Sequence, residues 1–197
     1  MSMTDLPDAR DYRGYADLAG AQRLGLDYRI TVRPRAGSSV AIVAPHGGGI
    51  EDGTSEIATA IAGEDHDLYL FEGCRPAYNY RALHLTSHRF DEPQCLALIA
   101  RCRRVVTIHG CDGEDPVVLI GGLDTPLAQA IAESMSSAGI VAATTGHRFP
   151  ATHPDNVCNR GASGRGVQIE VPHRLRRCDR VEVVANAVRA ALVDCGA

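Results

Sequence analysis

The chain has no lysine; all 20 of its basic residues are arginine. A GC-rich genome is the plainest source of that bias. A few of these arginines can also serve as planar forks for carboxylates or phosphates, which they fit better than an ammonium does. There is no basic tail, and the formal net charge is −4. This balance argues against a dedicated nucleic-acid binder, which would normally carry a basic face. No apolar run approaches the roughly eighteen residues of a membrane span. The opening segment, MSMTDLPDARDYRGYADLAG, lacks the basic and apolar regions of a signal peptide. A cytoplasmic protein, or one released by lysis, is therefore expected. Repeats, low-complexity tracts and long linkers are also missing.

Seven cysteines are present, at positions 74, 95, 102, 111, 158, 178 and 195, and none form a C-x-x-C pair. An odd count in a chain too long to need stapling points to reduced, mostly buried thiols. Cys111 and Cys158 lie near the polar motifs described below, with packing as their expected role.

What is present is one α/β domain's worth of chain, 197 residues. Strand-like runs are YRITVRP, SSVAIVAPHGG, HDLYLFEG, ALHLTSHRF, RVVTIHG, PVVLIGG, IVAATTG and GVQIEVP. The second is a continuous apolar run, as in a strand covered on both faces. Helical spacing and caps mark DGTSEIATAIAG, DEPQCLALIARC, DTPLAQAIAESMSSAG and DRVEVVANAVRAALVDC. About eight strands interleaved with four helices predict a three-layer α/β fold around a mostly parallel sheet, with functional residues at the strand ends.

Four strand ends carry polar residues. In VAPHGGGIE, His46 leaves an apolar strand and Gly47, Gly48 and Gly49 permit a sharp reversal that returns Glu51 towards it. The pair reads either as two metal ligands or as a glycine turn with a solvated glutamate. In VVTIHG, His109 ends a second apolar strand. It is either a hydrogen-bonded structural residue or the third member of a His-Glu-His set that leaves a fourth metal position open. In GVQIEVP, Glu170 shares a strand face with Gln168. A carboxylate there needs a partner or a task, so it is a general base or half of a buried salt bridge. The loop GHRFPATHPDNVCNRGASGRG offers an Asn-Arg pair, Asn159 and Arg160, which could hold a substrate carboxylate or be solvated. Arg176 is a second anchor and Arg148 a further candidate. His84 and His88 stand four apart. Read as a strand, that spacing sets them about 13 Å apart, too far for one ion, so His84 is expected to line the cleft and His88 to be exposed.

The segments APHGGGIEDGTSEI, LHLTSHRFDEP, TIHG, NVCNRG and GVQIEV, in this order, resemble the poly-γ-glutamate hydrolase family of phage and bacterial proteins. The resemblance spans residues ~40 to 180, and HGGGIE is its most specific part. It implies a zinc carboxypeptidase-like fold with a twisted mixed sheet, and Zn2+ as the metal. By matching motif, His46, Glu51 and His109 would bind zinc and Glu170 would be the base.

The expectation is a single zinc hydrolase domain over residues 1–197 that cleaves γ-glutamyl bonds of poly-γ-glutamate. Arg160 would hold a substrate carboxylate and offset charge on the tetrahedral intermediate, in a local cleft of arginines 148, 160, 165, 174, 176 and 177. The substrate would be a polyanion; neither nucleic acid nor membrane is an expected partner, and a monomer is assumed. The alternatives are a zinc deacylase or amidase of small N-acyl amino acids, and a non-catalytic phage or DNA-associated protein.

Overall fold

Strand β2 (Val40–Gly48) is buried along nearly its whole length, and the other elements assemble on its two edges and two faces. The computed structural model describes residues 12–113 and 115–194. Most of the opening segment and Cys195 lie outside the described residues. The remaining elements are α1 (Tyr15–Ala21), β1 (Tyr28–Arg33), α2 (Thr54–Ala62), β3 (Asp67–Gly73), α3 (Asn79–Leu83), α4 (Pro93–Ile99), β4 (Arg104–Cys111), β5 (Val117–Gly121), α5 (Thr125–Ser137), β6 (Val141–Ala143), β7 (Val167–Pro172) and α6 (Cys178–Asp194). The sheet runs β1-β3-β2-β4-β7-β5-β6. The pairs β2/β3, β2/β4, β4/β7 and β5/β6 are parallel, while β1/β3 and β5/β7 are antiparallel. The mostly parallel, mixed sheet is thus as expected.

Alternation along the strands makes two cores. Val40, Ile42, Ala44, Val106, Ile108, Val167 and Ile169 pack with the apolar faces of α2, α5 and α6. Ala41, Val43, Tyr69, Phe71 and Val105 pack on the other face with Leu18 of α1, Leu83 of α3 and Ile99 of α4. Each fully buried Ile or Phe contributes roughly 1.5–3 kcal/mol by leaving water, so both helix layers are held by the sheet. Thr107, His109, Gln168 and Glu170 alternate out of the first core. They therefore belong to the face shared with the second.

The expected strand ALHLTSHRF does not form, and seven strands pair among the described residues. This stretch is the end of α3, an irregular link and a 3₁₀ turn over Ser87–Arg89. Ala82, Leu83, Leu85 and Phe90 are buried in the second core. A chain draped over a sheet face shows the same apolar-polar pattern as a strand. Helices α1 and α3 are short and had no strong periodic signal. Helix α2 begins at Gly53, in a left-handed conformation with no side-chain cap, rather than at a capping side chain. The Thr54 hydroxyl donates instead to the carbonyls of His46 and Glu51.

Cys95, Cys102, Cys111 and Cys158 are buried free thiols and Cys74 is an exposed one, in keeping with reduced cysteines. Burial pushes the Cys111 thiol up to about 11 and the Cys158 thiol up to about 12, so neither is a thiolate near neutrality. Among the described residues no helix is long and apolar enough to cross a membrane.

Gly48 has φ +59, and a Cβ there would sit 2.7 Å from the Gly73 carbonyl oxygen. Gly48→Ala is expected to destabilise the fold by about 1–3 kcal/mol from backbone strain, with the contact adding to it. A urea midpoint equal to wild type would contradict this account of the turn.

Candidate metal centre

The site is built where β2, β4 and β7 end on the same edge. The chain leaves β2 towards β3 on one side and leaves β4 towards β5 on the other, and such switch points open a crevice at the carboxyl ends of the strands. Pairing of β2 with β4 stops at Val43↔Thr107. Pairing of β2 with β3 shifts register between Ala44 and Gly47. Pro45 lies in that bulge, where its missing N–H costs no ladder bond. The bulge turns His46 out of the ladder and into the gap beside His109, as bulges beside active sites commonly do.

The glycine turn then closes as the sequence implied. The Glu51 N–H donates to the His46 carbonyl at 2.9 Å, and Gly49 N–H to Gly73 O at 3.0 Å. Glu51 Oε2 accepts from the Gly110 N–H at 2.7 Å, while Oε1 lies 3.1 Å from His46 Nδ1. His109 Nδ1 is 3.1 Å from His46 Nδ1 and 3.8 Å from Glu51 Oε2. Four zinc ligands at about 2.0–2.1 Å in a tetrahedron are separated by about 3.3 Å. His46 Nδ1 lies close to that separation from both His109 Nδ1 and Glu51 Oε1, at 3.1 Å each, whereas His109 stands 3.8 Å from the other oxygen, Glu51 Oε2. His46 Nε2 donates to the Leu85 carbonyl at 2.8 Å, which leaves Nδ1 as the atom facing the site, a common outer-shell arrangement for a metal-binding histidine.

His84 lines the cleft as expected, but it also belongs to this cluster, and the segment that carries it is not a strand. It follows α3, its ring lies 4.0 Å from that of His46, and its Nε2 is 3.4 Å from Glu51 Oε1. His46, Glu51 and His84 alone could converge on an ion. His109 Nδ1 approaches His46 Nδ1 at 3.1 Å, so His84 and His109 both adjoin the pair of His46 and Glu51. No periodicity could have revealed His84, because α3 is a single turn.

Charge is divided sharply here. Burial pushes the His46 imidazole down, but the adjacent Glu51 carboxylate overrides that and leaves it above its ordinary value. Burial pushes Glu51 up, and His46 more than reverses it, holding the carboxyl well below the usual range. His109 falls to about 3 through burial and the neighbouring His46. His84 is lowered by burial and by His46. Glu170, paired in register with His109 across β4 and β7, rises to about 8 through burial and the nearby Glu51. It accepts from Gln168 Nε2 at 2.8 Å, and no arginine salt bridge to it occurs among the described residues.

These groups line a cleft of about 680 Å³ together with His88, Arg148 and Arg176. Of the six arginines expected to gather there, only Arg148 and Arg176 line it. Arg176 lays its guanidinium over Gly110, where a Cβ would come within 2.6 Å of it, and donates to the Asp52 carbonyl at 2.5 Å. Arg148 is exposed, 4.8 Å above the Phe149 ring. Arg160 does not line the cleft; it is half-buried and acts on the Cys95 thiol of α4. Asn159 is also placed outside it. Its amide is saturated by Leu123 N–H, Gly166 N–H and the Ala151 and His153 carbonyls, so it braces the loop. The NVCNRG segment is polar for structural reasons that composition does not distinguish from binding.

A family model described as poly-gamma-glutamate hydrolase matches residues 12–181. The structure of a bacteriophage poly-gamma-glutamate hydrolase superposes with a TM-score of 0.90 at 33% identity, covering 95% of this chain and 98% of that one. Zinc-free YndL gives a TM-score of 0.87 at 29% identity, with 96% and 100% covered. The curated YndL of Bacillus subtilis is 37% identical over 153 residues, 77% of this chain and 60% of its own length. The chain spans 60%, 50% and 64% of the curated relatives it matches. A solved structure from Shewanella baltica shares the fold at a TM-score of 0.53 and 14% identity, over 86% of this chain and 81% of that one.

Outer-shell changes alone typically cost 10–100-fold in metal affinity, so His46→Ala or His109→Ala is expected to weaken zinc binding by about 100-fold or more. Competition against a chromogenic chelator measures this; wild-type affinity in both variants would rule out the centre.

Proposed function

The chain belongs to the poly-γ-glutamate hydrolase family, and from that premise we propose that it is a zinc-dependent amide hydrolase cutting γ-glutamyl bonds of poly-γ-glutamate. The observation that carries the reading is the meeting of His46 Nδ1, His109 Nδ1 and the Glu51 carboxylate beside a second, separately perturbed carboxylate, Glu170. Zinc held by His46, Glu51 and His109 would polarise the scissile carbonyl and bring the pKa of its water to about 7.

The remaining work falls to side chains. Glu170 takes the proton of the attacking water and later gives it to the leaving amine. Its high proton affinity suits the second duty, and the first needs it ionised. Glu51 is kept anionic by His46, so the two carboxylates are set to different tasks by their surroundings. Arg148 and Arg176 stand where substrate carboxylates can be held by planar forks; they replace Arg160 and Asn159 in that role. Arg176, beside His109, is also the group placed to offset charge that develops on the carbonyl oxygen.

Glu170→Gln is expected to lower kcat by about 10²–10⁴-fold while zinc stays bound. Equal hydrolysis of poly-γ-glutamate by wild type and variant would remove Glu170 from the reaction. The acid limb of kcat/KM reports Glu170 losing its proton. Because its affinity for that proton is raised, activity is lost as pH falls through a value above the ordinary carboxylate range of about 4.3, drawn below about 8 by a bound dication. Arg148→Ala is expected to raise KM for the polymer several-fold with kcat little changed, the signature of lost uniform binding. Comparing the polymer with N-acetylglutamate separates this reading from a small N-acyl deacylase.

A further inference from the structure

A buried file of three hydrogen bonds ends on Glu170. The Cys158 N–H donates to Asn156 Oδ1 at 3.1 Å. Asn156 Nδ2 donates to Gln168 Oε1 at 2.8 Å. Gln168 Nε2 donates to Glu170 Oε1 at 2.8 Å. Asn156, Gln168 and Glu170 are each more than nine-tenths buried, on the wall of the cleft.

The file has one possible polarity. Amide oxygen and nitrogen look alike to packing, and only the bonding network tells them apart. Here the network begins at a backbone N–H, which can only donate. Asn156 must therefore turn its oxygen to Cys158 and its nitrogen to Gln168. An amide nitrogen is a donor only, so Gln168 must turn its oxygen to Asn156 and its nitrogen to Glu170. A proton on Glu170 Oε1 would then face the Gln168 N–H, donor against donor, inside a buried site where an unmatched polar group is costly.

We propose that this file confines the proton carried by Glu170 to its other oxygen, Oε2, and that Asn156 and Gln168 are thereby positioning residues for hydrolysis. The proposal rests on Glu170 being the base. In the reaction, water's oxygen bonds to the amide carbon as one of its protons passes to Oε2. The same proton moves from Oε2 to the departing nitrogen as the C–N bond breaks. The products are a carboxylic acid, which ionises, and an amine. A proton on Oε1 would be turned towards Gln168, away from both reacting atoms. Glu51, His46, Cys111 and Arg148 also act on Glu170, and the variants below leave all four in place.

The test follows kcat/KM against pH for the zinc-loaded full chain on poly-γ-glutamate, with a thermal melt of each variant. Gln168→Leu takes a donor from the carboxylate. It is expected to lower kcat/KM by about tenfold and to move the acid limb up by about one pH unit, the size of a hydrogen bond to a charged group. Asn156→Asp accepts from both sides, so Gln168 must turn over and present its oxygen to Glu170. Its acid limb is expected to move further than that of Asn156→Ala. The shift is expected to vanish when Gln168→Leu is already present, since coupled neighbours are not additive. The Gln168 side-chain amide resonance, which needs no turnover, is expected to follow Glu170 protonation in wild type and to lose that response in Asn156→Asp.

An Asn156→Asp shift of equal size with and without Gln168 would be through-space charge and would overturn the file. So would a wild-type acid limb in Gln168→Leu. If Asn156→Asp fails to melt cooperatively, Asn156→Ala carries the same comparison, its effect vanishing in the Gln168→Leu background if the file operates and persisting if it does not. Full activity in Glu170→Gln would instead remove the base assignment itself, which keeps the two failures apart.

Discussion

Three parallel strands that end at one edge are what the chemistry rests on. β2, β4 and β7 are held in fixed register by their ladders, so His109 and Glu170 are neighbours by construction. The bulge at Pro45 adds one residue to β2 relative to β3, and this frees His46 from the ladder at the point where β4 no longer pairs with it. The glycine turn then has only to fold Glu51 back over a few residues. A candidate centre assembled this way takes His46 and His109 from strands and Glu51 from the turn that follows β2.

Electrostatics follow from that packing. One carboxylate lies against His46 and stays ionised; the other, buried near the first, is pushed towards neutrality. Among the three clustered histidines, only His46 is raised, and His84 and His109 are lowered. The Glu51 carboxylate therefore favours a positive charge beside it, whether a proton on His46 or a bound cation.

Substrate recognition has narrower support than the composition suggested. A chain with 20 arginines and no lysine could have presented a broad basic cleft. Only two of the six named arginines reach it, one lying over a glycine and the other over a phenylalanine ring.

The sequence alone determined the alternation of strands and helices, the strand-end placement of His46 and His109, the return of Glu51 across three glycines, and the isolation of Glu170 within an apolar strand. These are local facts: runs of apolar residues, glycine where the chain reverses, and a charge where only a partner would tolerate it. Only the tertiary structure decided that His84 sits on His46, that Asn159 is saturated by backbone and Arg160 faces α4, and that Asn156 and Gln168 line up on Glu170. Each of those depends on which segments lie side by side in space. A short helix draped over a sheet, or an amide whose partner is 12 residues away, leaves no periodic mark in the chain, because the energy that fixes it comes from neighbours outside its own element.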